Sequence, residues 1–163
     1  MIRIIVNKIS KDSEDIHIPP PVFFFVCFGC GFLLELFFPT DIISLSLIPR
    51  VIAGCLLMLM AIYFAASAFF MLIKNKTTFN TAKSTIKIVT GGAYRFSRNP
   101  LYLSLLLLLS GLAVLSASLW FFFTIPILYI LLLFKAVKPE ESYLSQKFGK
   151  EYLDYSAKVR RWI

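Results

Sequence analysis

The sequence predicts an all-α polytopic membrane bundle of about four transmembrane helices, the last two forming a helical hairpin, with an amphipathic helix in the tail. Three observations lead there. Hydrophobic residues make up 58% of the 163-residue chain and charged residues only 16%, against roughly 25% charged in a soluble domain. The apolar residues are gathered into long blocks of membrane-spanning length. The basic residues, which give a formal charge of +8, cluster in the segments between and after those blocks, as cytoplasmic loops of membrane proteins do. That placement explains the charge without nucleic acid, and no nucleic-acid partner is expected.

The first block is Val22–Phe38, after a polar segment with Arg3, Lys8 and Lys11 and the run Pro19-Pro20-Pro21. No small-residue cleavage site closes it, so it reads as a retained span and not a signal peptide. It carries one acid, Glu35, near its outer end. Burying a carboxyl there is costly without a partner, and Arg50 at the same face is the expected ion-pair partner. Cys27 and Cys30 form a CxxC, yet without the βαβ setting of a redox motif; with Cys55 they read as buried membrane cysteines. The second block, Val51–Ile73, holds 23 residues and no charge. Within it Ala61 and Ala65 offer a small-xxx-small packing face.

The third block, Leu101–Phe134, holds 34 uncharged residues. As a single helix it would run roughly 50 Å, too long for one span. Charge resolves the choice. With four spans and both termini in the cytoplasm, sixteen of the seventeen basic residues lie on that side, and only Arg50 lies near the outer face. A three-span chain would export either the central or the C-terminal cluster, against the positive-inside rule. The spans are therefore placed at about 22–38, 51–73, 101–116 and 118–134, turning near Ser116-Ala117-Ser118. The loop 74–100 and the tail 135–163 then share the cytoplasmic face, and the whole of 1–163 is expected to form one domain.

Chemistry is sought in those two segments. In the loop, Asn99 can cap a helix that starts at Pro100, and Gly91-Gly92 reads as a turn, not a nucleotide fingerprint. In the tail, Leu144, Phe148, Tyr152, Tyr155, Val159 and Trp162 recur at steps of three or four, the stripe of an amphipathic helix. Pro139-Glu140-Glu141 makes a good helix start. It also brings two acids to the point where the last span leaves the membrane. If spans three and four form a hairpin, Arg98 and Glu140 or Glu141 face each other across a shallow pocket. Such a pocket suits a zwitterion, with a guanidinium for its carboxylate and a carboxylate for its ammonium or for ribose hydroxyls.

The run Thr90–Tyr102, TGGAYRFSRNPLY, resembles the signature of the integral membrane methyltransferases that include isoprenylcysteine carboxyl methyltransferases and phospholipid methyltransferase-like proteins. In the tail, Glu140-Glu141, Phe148-Gly149, Glu151-Tyr152, Tyr155 and Arg160-Arg161-Trp162 resemble that family's elements in order and spacing. Thr77-Thr78-Phe79-Asn80 resembles the segment preceding the signature. Three positions depart: Ala93 stands where Pro is frequent, Asn99 where the eukaryotic carboxyl methyltransferases have His, and Ser104 where Gly is frequent.

The resemblance implies S-adenosylmethionine as methyl donor and a hydrophobic or amphipathic acceptor, such as an isoprenylcysteine-type carboxylate, a lipid or a small thiol. It assigns Tyr94, Arg98, Asn99, Tyr102, Glu140, Glu141 and Tyr152 to the cofactor site, with Arg98 and Glu141 as the catalytic pair. Tyr94 and Tyr102 are candidates for cation–π contact with the sulfonium. No metal is expected. No Ser-His-Asp or Cys-His arrangement is visible, and the sole histidine, His17, lies far from the motifs. The implied location is an integral, cytoplasmic-type membrane. Two other readings of the sequence are a small four-span proton-coupled exporter that uses Glu35, and a membrane oxidoreductase of the sterol-reductase type.

Overall fold

The computed structural model describes residues 18–40, 46–76 and 87–163. Arg3, Lys8, Lys11, His17, the Thr77–Asn80 segment and Lys83 fall outside them. The described residues are helical throughout, without strands: α1 (Pro20–Phe37), α2 (Leu47–Lys74), α3 (Pro100–Ser116), α4 (Leu119–Leu132), α5 (Lys138–Phe148) and α6 (Lys150–Lys158). A short 3-10 turn, Gly92–Arg95, precedes α3, and a π-helical turn, Leu133–Val137, joins α4 to α5 without a break.

Among the described residues, three helical stretches are long and apolar enough to cross a membrane: Pro20–Phe37, Leu47–Lys74 and Leu119–Phe148. The fourth apolar helix, α3, has 17 residues, and it is the one most enclosed by its neighbours. Its two long partners, α2 and α4, pack along it, while α1 lies mainly on α4 and scarcely touches α3. The outward faces remain apolar: Phe25, Leu36, Ile52, Leu59, Phe70 and Ile73 are all exposed. Such a surface needs hydrocarbon around it, and the chain is an integral membrane protein.

The α2–α3 contact is a stripe of small residues. A Cβ on Gly54 would lie 2.4 Å from Leu115 Cγ and 3.2 Å from the Gly111 carbonyl, so only glycine lets the two backbones approach this closely. Buried Gly54, Ala61, Phe64, Ala68 and Leu72 continue the stripe along α2. Small residues are the usual device for close helix packing in a membrane, where lipid removes most of the hydrophobic drive. Here Ala61 is buried inside the chain, and both it and Ala65 line a cavity.

The hairpin turns where expected. Ala117 closes α3 in the left-handed region, φ 56° and ψ 18°. Its side chain is fully buried, so a compact residue is required despite a backbone strain of about 1–2 kcal/mol. Glu35 meets this turn. Its carboxylate accepts hydrogen bonds from the Thr40 N–H at 2.9 Å, from the Thr40 hydroxyl at 3.0 Å, and from the Ser118 hydroxyl. The expected Glu35–Arg50 pair is therefore corrected: the ion pairs among the described residues join only Arg98 and Arg161 to Glu141. Neutral donors close to Glu35 in space, from its own helix end and from the hairpin, took the place of the charge. All three cysteines are free; Cys27 is buried as expected, but Cys30 and Cys55 are exposed on the outward faces of their apolar helices, which corrects the expectation of burial for those two.

Candidate functional site

At the end of the bundle where α1 and α3 begin, three segments converge: the strand-like stretch before the 3-10 turn, the start of α3, and the tail. The 3-10 turn is pinned to α2 by the Ala93 N–H, which donates to Ser67 Oγ at 3.0 Å. Beyond it the chain leaves Arg98 and Asn99 as the threshold of α3. Asn99 occupies the cap position, but its side chain makes no cap hydrogen bond. Instead its Nδ2 donates to the Arg161 carbonyl at 3.1 Å. The Ser97 hydroxyl donates to the same carbonyl at 3.2 Å, and the Arg98 N–H to the Arg160 carbonyl at 3.0 Å. The capping expectation for Asn99 is thus corrected: its amide is oriented by donating to the tail carbonyl, and its oxygen takes no hydrogen bond from the first N–H groups of α3.

The tail stripe is real, but it passes through two helices. Gly149, at φ 52° and ψ −121°, separates α5 from α6, in a region open essentially to glycine alone. Across that corner Tyr152, Tyr155, Leu144, Phe148 and Val159 gather around Ile88. The chain then runs out extended, and Trp162 tucks into the bundle, 5.4 Å from the Tyr129 ring and against the Phe64, Ala93 and Leu103 cluster.

The π-helical turn matters for the acids. An additional residue in one turn rotates everything after it by roughly 100°, and such bulges recur at functional sites. It lies directly before Lys138-Pro139-Glu140-Glu141, so it sets which way both carboxylates face.

Tyr94, Arg98, Asn99, Tyr102, Glu140, Glu141 and Tyr152 all line one cavity of about 790 Å³, within the usual range of ligand pockets. Tyr155, a motif element not assigned to the cofactor site, joins them; its hydroxyl donates to the Tyr94 carbonyl at 2.8 Å, tying tail to loop. The charged groups are unequally matched. Arg161 grips Glu141 with both Nε, at 3.0 and 3.1 Å, and Nη2, at 2.7 Å. Arg98 Nη1 stands 3.4 Å from Glu141 and 3.5 Å from the Tyr152 hydroxyl, and its buried Nε has no partner. Glu140 accepts a 2.8 Å hydrogen bond from the Tyr102 hydroxyl, and no cation among the described residues pairs with it.

Burial raises the Glu140 carboxyl above the ordinary carboxylate value; the Tyr102 hydrogen bond opposes this, and neighbouring Glu141 adds to it. Burial also pushes the Tyr94, Tyr152 and Tyr155 phenols up, with acidic neighbours helping at Tyr94 and Tyr152, so they stay neutral. The polar end therefore offers one guanidinium with a donor to spare, one carboxylate without a counter-ion, and neutral aromatic walls. Its opposite end is apolar. Ile62, Ala65, Phe69, Leu105 and Leu108 line it, together with Pro19–Pro21 at the start of α1. This arm lies between α1 and the α2–α3 pair, the two parts of the bundle that barely meet. No group of three or more His, Cys, Asp or Glu among the described residues could hold a metal ion.

Of the pairings in this site, the motif did not foretell that of Arg161 with Glu141. Arg161 stood in the sequence only as part of a terminal Arg-Arg-Trp element, and its partner lies twenty residues upstream on another helix.

Residues 49–151 match the family described as phospholipid methyltransferase. No curated protein and no solved structure matched. The matched stretch begins at the foot of α2 and includes the whole loop motif, the hairpin and both acids.

Proposed function

Because the chain belongs to the phospholipid methyltransferase family, and is thus a membrane methyltransferase, we propose that it transfers a methyl group from S-adenosylmethionine to a hydrophobic or amphipathic acceptor at the cytoplasmic membrane face. One observation carries this reading. A single cavity joins a polar end suited to a zwitterion to an apolar arm that opens between helices. The residues fit the donor: Arg98, with its orphaned Nε, suits a carboxylate, and Glu140, lacking a counter-ion, suits a cation. Tyr94 and Tyr102 form the neutral aromatic wall beside Glu140 and favour a positive sulfonium.

When bound, S-adenosylmethionine would supply an activated methyl carbon, its sulfur leaving with the bonding pair as the acceptor's lone pair takes the methyl group. The protein's part is to position and to exclude water. Arg98, Asn99 and Glu140 orient the donor, Tyr102 fixes the Glu140 carboxylate, and α6 roofs the site with Tyr152 and Tyr155. The low-dielectric arm admits the acceptor from the bilayer side and keeps bulk water from the reacting atoms. An isoprenylcysteine-type carboxylate, a lipid or a small thiol would each fit that arm. The distribution of Lys and Arg supports a topology with both termini, loop 74–100 and tail 135–163 in the cytoplasm, as one methyltransferase domain over 1–163.

Binding of radiolabelled S-adenosylmethionine to detergent-purified protein tests the reading. Saturable binding that Arg98→Ala weakens supports it. Absence of saturable binding, or equal binding by Arg98→Ala, refutes it.

A further inference from the structure

Two guanidiniums face Glu141, and they are not equivalent. Arg161 meets it as a fork, with contacts of 2.7, 3.0 and 3.1 Å, while Arg98 stands off at 3.4 Å. Arg98 lies deep in the cavity wall, its side chain 15% exposed; Arg161 is 38% exposed and does not line the cavity. Arg161 is also held at both sides of its own backbone. Its carbonyl takes hydrogen bonds from Ser97 and Asn99, and Trp162 after it is wedged beside Tyr129.

We propose that Arg161 is a positioning residue: by occupying the Glu141 carboxylate, it keeps the Arg98 guanidinium available for an anionic group of the bound ligand. A carboxylate satisfied by a bidentate guanidinium has little left to draw in a second cation. Without Arg161, Glu141 would have Arg98 as its one cation. The pair would close to hydrogen-bond distance, and Arg98 would be withdrawn from the ligand. Recognition of the ligand's carboxylate thus depends on a side chain outside the cavity. The inference rests on the proposed use of S-adenosylmethionine and predicts a property that this use alone does not.

Competition between S-adenosylmethionine and its decarboxylated analogue reads the property directly, since the two differ only in the group that Arg98 would hold. Binding is measured on the full-length protein in detergent for the wild type, R161Q, R161K, E141Q and the double variant R161Q/E141Q, with thermal unfolding followed in parallel. The wild type is expected to prefer the carboxylate-bearing donor, and R161Q to lose about tenfold of that preference, the scale of one charge-assisted hydrogen bond. R161K, which keeps the charge but not the fork, is expected to fall between them. E141Q, and R161Q/E141Q above all, should keep or regain the preference, because the carboxylate that competes for Arg98 is gone. A purely structural role for Arg161 predicts no such rescue.

An unchanged preference in R161Q and R161K overturns the inference, and so does a double variant no better than R161Q. The proposed function would survive either result. Absence of saturable binding by the wild type would overturn the proposed function and this inference together.

Discussion

The two ends of the bundle each carry an acid beside the α3–α4 hairpin, and they treat it in opposite ways. At the turn end, Glu35 is surrounded by neutral donors from Thr40 and Ser118. Around it the Leu119 N–H donates to Thr40 Oγ1 at 3.0 Å and the Trp120 indole to the Phe38 carbonyl at 2.7 Å, although Arg50, at the start of α2, keeps a buried Nε without a partner outside this cluster. At the open end, Arg98 keeps an unpartnered Nε and Glu140 has a phenol but no cation. Buried polar groups are normally satisfied, so those that are not ask for an explanation. One cluster is closed on itself and fastens helices. The other is left incomplete around a cavity, as the proposed binding of a charged ligand requires.

The largest effect that tests this contrast is at Glu140. Glu140→Gln keeps shape and the Tyr102 contact but removes the charge. Affinity for S-adenosylmethionine, and methyl transfer with it, is expected to fall about 100-fold, in line with the loss of one partner from a buried charge pair. Equilibrium binding and single-turnover transfer measure it; a change under threefold would place the donor's cation elsewhere.

The next effect is pH dependence. The Glu140 carboxyl, which lies beyond the apolar run ending at Phe134, is raised above its ordinary 4.5. In the free protein this gives a stability contribution that is present below 4.5 and lost as the pH rises through the raised value, since the folded state then holds the extra proton. Binding of a cationic donor runs the other way: it strengthens as pH rises through the same value and the carboxylate forms. Titration of affinity against pH should show this gain, about tenfold per unit on the acid side, and Glu140→Gln should flatten it. Opposite slopes for unfolding and binding identify one group as the source of both.

A smaller effect is expected at the corner that roofs the open end. Gly149→Ala meets no neighbour within 4 Å, so its cost is the positive φ alone. A destabilisation of about 1–3 kcal/mol should lower the Tm, with affinity reduced a few-fold because α6 carries Tyr152 and Tyr155. Thermal unfolding beside the binding assay separates the two.

The contrast was only half legible in the sequence. Counting Lys and Arg split Leu101–Phe134 into two spans, and the chain does turn at Ala117. The motif residues Tyr94, Arg98, Asn99, Tyr102, Glu140, Glu141 and Tyr152 do surround one cavity, because the hairpin brings the loop and the tail together. The pairing within it was hidden. A π turn at Leu133–Val137 changes the facing of Glu140 and Glu141, yet leaves no mark in hydrophobic periodicity. Gly149 could have been read as a break in the tail stripe, since glycine punctuates helices. The setting of Glu35 was hidden because its partners carry no charge. Its partners were Thr40, five residues on, and Ser118, which the hairpin brings back from 83 residues away.

The smallest expected effect on function is at Glu35, and it tests the closed half of the contrast. Glu35→Gln retains one carbonyl oxygen for the Thr40 N–H. The new amide presents donors to the Thr40 and Ser118 hydroxyls, and each hydroxyl can rotate to accept. What is lost is the charge assistance, about 1–2 kcal/mol, so the Tm should fall by a few degrees. Affinity for S-adenosylmethionine and methyl transfer should stay within about twofold, since the carboxylate sits at the far end of α1 from the cavity. A proton-coupled exporter makes the reverse prediction: proton-gradient-dependent efflux from vesicles that Glu35→Gln abolishes, with stability little changed. If Glu35→Gln abolished methyl transfer while leaving the Tm intact, the two ends would be coupled, and the division into a fastening end and a binding end would fail.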